Sequence, residues 1–165
     1  MSDRDVTQRE RLTGGCQCGA VRYAFHGVPR QVGICHCRMC QKASGGPFAV
    51  YAVVALGDFE WTRGAPATWA SSSNATRDFC PACGTPLAYR ENVGGEIELL
   101  TGTLDQPERA VPTGEVGIEA KLAWLNDLPG LPGKTTEQNR GPHATAVVSR
   151  QHPDQDTDEA WSAPP

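Results

Sequence analysis

The cysteines of this chain fall into three groups: Cys16-Gln17-Cys18, then Cys35-His36-Cys37-Arg38-Met39-Cys40, then Cys80-Pro81-Ala82-Cys83. Cysteine sulfur serves disulfide bonding, metal ligation and redox cycling, and the rest of the chain has to choose between them. Seven thiols, an odd number, count against a closed disulfide framework. So does the opening stretch "MSDRDVTQRERLTGG", which is charged throughout and has no apolar run like a secretory signal. A reducing, cytoplasmic setting is expected, where the sequon Asn74-Ala75-Thr76 reads as coincidence. Thiols two residues apart can cycle through disulfides, but the chain lacks the βαβ context that such motifs use. Metal binding is the reading the spacing favours.

Zinc prefers four ligands in a tetrahedron, and thiolates suit it. "FCPACG" is a zinc-ribbon turn that brings two sulfurs together and supplies half a site. Cys16 and Cys18 are its natural partners, since residues two apart on an extended segment share a side. Cys16, Cys18, Cys80 and Cys83 then make a closed structural site, worth on the order of 10 kcal/mol of folding free energy. Cys35, Cys37 and Cys40 remain. Three ligands and an open position are the arithmetic of a catalytic zinc. His36 projects to the opposite side if the segment is extended, although His36 or His26 closing the second site is the competing possibility.

A divalent ion on three thiolates carries a net charge of about −1, which makes it a poor activator of water. A thiol is the better fourth ligand, because coordination deprotonates it at neutral pH. The chemistry expected is therefore activation of an exogenous sulfur toward a small electrophile. Arg38, Lys42, Ser44 and Arg77 are candidate contacts for an anionic thiol; the bland reading of each cation is a solvated surface charge.

These groups need elements to hold them. Short apolar and β-branched runs such as "AVRYAF", "PFAVYAVV", "FEWT" and "EIELLTG" alternate between clusters of Gly, Pro, Asn and Ser. "GAVRYAF" puts Val21, Tyr23 and Phe25 on one face and Arg22 and Ala24 on the other. A mainly β domain follows, with short helical turns only, such as one from Met39 to Ser44. We expect a flexible N-terminus over 1–11, one zinc domain over 12–132 and a disordered tail over 133–165 with solvated His143 and His152. No basic, aromatic-interleaved stripe predicts nucleic-acid binding. Nor does any apolar run reach the roughly 18 residues needed to cross a membrane.

"LTGGCQCGAVRY", "ICHCRMCQKASGGPFA" and "SSSNATRDFCPACGTPL" resemble the signature blocks of the glutathione-dependent formaldehyde-activating enzyme family, which includes the centromere protein V type of domain. A weaker block, "LTGTLDQPE … IEAKLAWLNDLPG", is similar to its closing segment, with Lys121 and Trp124 in place. The resemblance implies a Mss4-like fold of antiparallel β-sheets with zinc-binding turns. It also implies two zinc ions per chain, structural on Cys16, Cys18, Cys80 and Cys83 and catalytic on Cys35, Cys37 and Cys40. The activity it implies is a carbon–sulfur lyase reaction joining glutathione, as the small thiol, to formaldehyde, as the small aldehyde. Two departures touch the ligand pocket: Glu115 stands where the family often has His, and Ala123 where it often has Pro.

Two other functions compete. One is a non-catalytic zinc-binding interaction module. The other is a methionine sulfoxide reductase, a related zinc fold with two pairs of cysteines each separated by two residues. Here the first pair is separated by one residue, and the extra cysteines cluster together.

Overall fold

The structure, a computed structural model, describes residues 10–141, 145–158 and 161–162. The expected flexible segment 1–11 lies outside these up to residue 9, as does His143. The described chain is mainly β, as its alternating pattern predicts. Strands β1 (Arg11–Gly15), β2 (Arg22–His26) and β5 (Phe59–Arg63) form a three-stranded sheet in the order β1-β2-β5.

The second sheet has seven strands: β3 (Gln31–Cys35), β4 (Ala49–Ala55), β6 (Ala67–Ala70), β7 (Ala75–Phe79), β8 (Pro86–Glu91), β9 (Glu96–Leu100) and β10 (Gly114–Val116). Their order is β10-β3-β4-β9-β8-β7-β6. Among the described strands, β10 on β3 is the parallel pairing in an otherwise antiparallel set. Two short α-helices accompany them, α1 (Arg38–Ser44) and α2 (Thr136–Arg140), along with several 3-10 turns.

Both faces of the larger sheet are used. Ala52 and Val54 of β4 and Ile97 and Leu99 of β9 turn one way and pack with Tyr23, Phe25 and Leu87 into the main core. Each such side chain contributes about 1.5–3 kcal/mol by leaving water. By the period of two, Tyr51, Glu98 and Leu100 turn the other way. There Tyr51 and Ala49 join Cys40 in a second apolar cluster, flanked by Cys35, Cys37, Tyr89 and Leu100. The thiol-rich segment thus sits on the outer face of the larger sheet, away from the main core.

On β2 and the residue before it, the expected face of Val21, Tyr23 and Phe25 is buried, and so are Arg22 and Ala24. Arg22 is tolerated there because its guanidinium bonds Asp105 (2.9 Å) and Asp156 (3.1 Å). Asp156 belongs to the segment 145–158, which lies against the smaller sheet. His152 N–H donates to the Gln17 carbonyl at 2.7 Å, and Arg63 donates to the carbonyls of Thr157 and Asp158. Nothing in the composition of 133–165 points to these contacts. His152, expected to be solvated, is instead 3% exposed, because its ring is enclosed by Thr157, Arg63 and Trp161.

Candidate metal centres

The first centre forms where β1 runs out. Cys16 and Cys18 lie in the turn after Gly15, so a tight loop, and not strand alternation, aims both sulfurs inward. The loop is closed by Cys16 N–H on the Val21 carbonyl (2.9 Å) and Gly19 N–H on the Cys16 carbonyl (3.0 Å). The Val21 N–H points at Cys16 Sγ at 3.2 Å. A second turn presents Cys80 and Cys83, closed by Gly84 N–H on the Cys80 carbonyl (2.9 Å), with Gly84 in the left-handed region at φ +78°. Gln17 tethers one turn to the other by donating its N–H to the Thr85 hydroxyl at 3.1 Å.

All four sulfurs lie within 4.8 Å of one another. Cys16–Cys18 is 3.6 Å and Cys18–Cys80 is 3.9 Å. Sulfurs at the corners of a zinc tetrahedron with 2.3 Å bonds are about 3.8 Å apart. The donor set and its spacing fit zinc. Against the upward push of burial, the Thr85 hydroxyl and N–H hold the Cys83 thiol down to about 6.

The second centre straddles a strand end and a helix start. Cys35 closes β3, Cys37 is the N-cap of α1, and Cys40 lies in its first turn. Cys40 N–H donates to Cys37 Sγ at 3.4 Å. Burial opposes ionisation of Cys37, but the N–H groups of Cys40 and Met39 hold its pKa below the ordinary thiol value. Burial pushes the Cys35 thiol up to about 12. The three sulfurs again lie within 4.8 Å, and among the described residues no further His, Cys, Asp or Glu joins them.

His36 faces away. It is 1% exposed, edge-on to Phe48, with Nε2 3.6 Å from a Glu115 carboxylate oxygen. His26 is exposed at the end of β2, in the other sheet.

Of the four residues singled out as substrate contacts, Arg77 reaches the trio. Its Nη2 donates to Cys40 Sγ at 3.4 Å and its Nη1 to the Tyr51 hydroxyl at 2.7 Å, while the guanidinium sits 5.0 Å over the Tyr89 ring. Tyr51 in turn donates to Cys40 Sγ at 3.7 Å. Arg38 bonds Gln41 on its own helix and, with Lys42, lines a separate cavity of about 470 Å³ that Arg77 also borders. The Ser44 hydroxyl is spent on the turn after α1, between the Phe48 carbonyl and Gly46 N–H, both at 3.3 Å.

In front of the trio is a larger cavity of about 490 Å³, walled by Tyr51, Arg77, Tyr89, Val53, Glu98 and Glu91. The edge strand β10 and its exit shape one rim. Glu115 is held by Lys121 at 2.9 Å, and that bond keeps its carboxyl below the ordinary range. Gly117 (φ +66°) lies so close that a Cβ there would come within 2.7 Å of Cys37 N. Gln41, buried, donates to the carbonyls of His36 (2.7 Å) and Ala120 (3.0 Å) and pins this exit to the thiol loop.

Tyr51, Tyr89, Glu98 and Gln41 escape the sequence reading. The alternation in "AVYAVV" marks Tyr51 as facing opposite Ala52, but the partner strands that complete its surroundings lie some way along the chain.

With this geometry in place, a family model described as "Glutathione-dependent formaldehyde-activating enzyme" matches residues 11–119. The chain belongs to the glutathione-dependent formaldehyde-activating enzyme family. Both cysteine clusters and the cavity lie within the matched stretch. A crystal structure of a Rhodobacter sphaeroides protein superposes with a TM-score of 0.52 at 22% identity, covering 63% of this chain and 99% of that one. At that identity the likeness speaks to the fold, and it agrees with the mainly β architecture. The two cysteine clusters inside the matched stretch could each hold a metal ion, and their donors are consistent with zinc. No helix of the described residues is long and apolar enough to cross a membrane.

Proposed function

We propose that the protein is a zinc-dependent enzyme of the carbon–sulfur lyase type, adding a small aldehyde such as formaldehyde to a thiol such as glutathione, or removing it. The observation that carries this reading is the open trio: three sulfurs converge with no fourth His, Cys, Asp or Glu donor among the described residues and a cavity in front of them. Cys16, Cys18, Cys80 and Cys83 would hold a structural zinc, and Cys35, Cys37 and Cys40 a catalytic one, within a zinc domain spanning 12–132. Zinc on the trio would take the substrate sulfur as its fourth ligand and keep it ionised at neutral pH.

The protein's own residues balance the charge and move the proton. Three cysteine thiolates on a divalent ion leave a net charge of about −1, and the buried Arg77 guanidinium against Cys40 Sγ offsets it. In the addition a carbon–sulfur bond forms as the carbonyl π bond opens. The aldehyde oxygen takes up one proton in place of the one that the thiol released. Tyr51, whose hydroxyl faces Cys40 and is fixed by Arg77, is assigned to deliver that proton and to regain through solvent the one that the thiol released. A reducing compartment such as the cytoplasm keeps the seven thiols available, which suits this chemistry.

The test is exchange NMR on mixtures of formaldehyde and glutathione at neutral pH. The zinc-loaded protein should speed exchange between free and S-hydroxymethylated glutathione, and Cys37→Ser should abolish the gain. That variant should bind about one zinc where the native chain binds about two, with its fold retained. No acceleration, together with unfolding of Cys37→Ser as severe as that of Cys83→Ser, would instead leave a non-catalytic zinc-binding module.

A further inference from the structure

The cavity in front of the trio is electrically lopsided. Its far wall carries Glu98, half-buried between Val53 of β4 and Tyr89 of β8, with Glu91 two residues along from Tyr89 on the same face. Glu98 makes no ion pair or hydrogen bond among the described residues. Burial raises its pKa, and the negative charges of Glu91 and Glu96 raise it further. Arg77, the cation that opposes this, is already committed to Cys40 and Tyr51.

A half-buried carboxylate beside like charges costs stability unless something answers it. The neighbouring cavity, which shares Met39 and Arg77 with this one, has the opposite sign, with Arg38 and Lys42 on its wall. Cations therefore lie on the helix side of the trio, and carboxylates on the strand side.

We propose that Glu98, with Glu91, receives an ammonium group of the thiol substrate, so that the cavity selects thiols with an amino group at a distance from the sulfur. The reach follows from the sheet: β3, which ends in Cys35, and β9, which carries Glu98, are separated by β4, about 10 Å across two strand spacings. Cys35 pairs with Ala49 and Glu98 with Val53, so the two backbones are also offset by about 13 Å along β4, a gap that their side chains shorten. Short aminothiols cannot span that distance. A peptide thiol with its amino group at the end of an extended arm can, and glutathione, with an α-ammonium closing its γ-glutamyl arm, has this form. The inference rests on the thiol-binding reading above and adds the residues that tell one thiol from another.

The experiment is isothermal titration calorimetry of the zinc-loaded protein with glutathione and with desaminoglutathione, in which a hydrogen replaces the ammonium group. Loss of the ammonium should weaken binding to the native protein about tenfold, the worth of one charge-assisted hydrogen bond. In the Glu91→Gln/Glu98→Gln variant the two thiols should bind alike. Equal binding of both thiols to the native protein would overturn this inference and leave the thiol site standing. If neither thiol binds, the thiol site itself is wrong, and this inference fails with it.

Discussion

Arg77 is the residue on which the electrostatics of the open centre turn. It is a buried cation whose hydrogen bonds end on a thiol and a phenol, so its charge is aimed at the sulfur cluster. Replacing it with glutamine keeps much of the shape and removes the charge. Arg77→Gln should weaken zinc at Cys35, Cys37 and Cys40 by about tenfold or more, the worth of a charge-assisted bond. Titration with a competing chelator checks this, and the four-thiolate centre should be unaffected. Equal weakening of both centres would mean that the substitution acts through the fold. The sequence marked Arg77 as one of four charge or hydroxyl candidates, but could not single it out. What singles it out is its place on β7 opposite Tyr89, with Tyr51 two strands beyond, a pairing of residues from three distant segments.

Among the elements, the thiol loop is braced by a strand that contributes no ligand. Strand β10 pairs with the end of β3, and its exit through Gly117 passes over Cys37 with no room for a side chain. Gly117→Ala would add strain from the left-handed backbone, about 1 kcal/mol, to a clash with backbone nitrogen. It should lower the melting temperature and release metal preferentially from the Cys37 centre, read by melting curves and metal content. An unchanged melting temperature with full metal content would show that the brace has no such role.

The strands themselves were legible, because half-buried β-structure writes a period of two into the sequence. The grouping of the seven cysteines was legible too, because tetrahedral sulfur ligation demands close pairs. Which local structure holds each pair was not. Cys16 and Cys18 lie in a turn and Cys37 caps a helix, yet spacing alone fits turn, cap and strand equally well.

For the molecule as a whole, the segment 145–158, beyond the matched family region, packs against the smaller sheet. His152, Asp156, Thr157 and Asp158 meet Gln17, Arg22 and Arg63, so this segment touches the loop of the four-thiolate centre. Composition hides such docking, since single ion pairs and carbonyl contacts carry no periodic signal. Burial, and then the charge of Arg22, hold His152 below its ordinary pKa. The docked segment therefore prefers the neutral ring. Its docking is complete above about pH 6.5, the free-histidine value, and weakens as the pH falls below it. Asp156 is opposed by burial, but Arg11 and Arg22 hold it below its ordinary range, so its share is lost only at lower pH. Amide exchange in 145–158 should accordingly rise between pH 7.5 and 5.5 while the strands stay protected. Exchange that is flat once corrected for its intrinsic pH dependence would contradict this.

The division of sulfur, four closed against three open, underlies the functional reading, and cadmium-113 NMR addresses it most directly. The cadmium-loaded protein should give two resonances. Adding glutathione should move one of them toward the position of the other, as a fourth sulfur enters its coordination sphere, and leave the other in place. Two resonances that both stay fixed at saturating glutathione would show that neither centre has room for an incoming thiol.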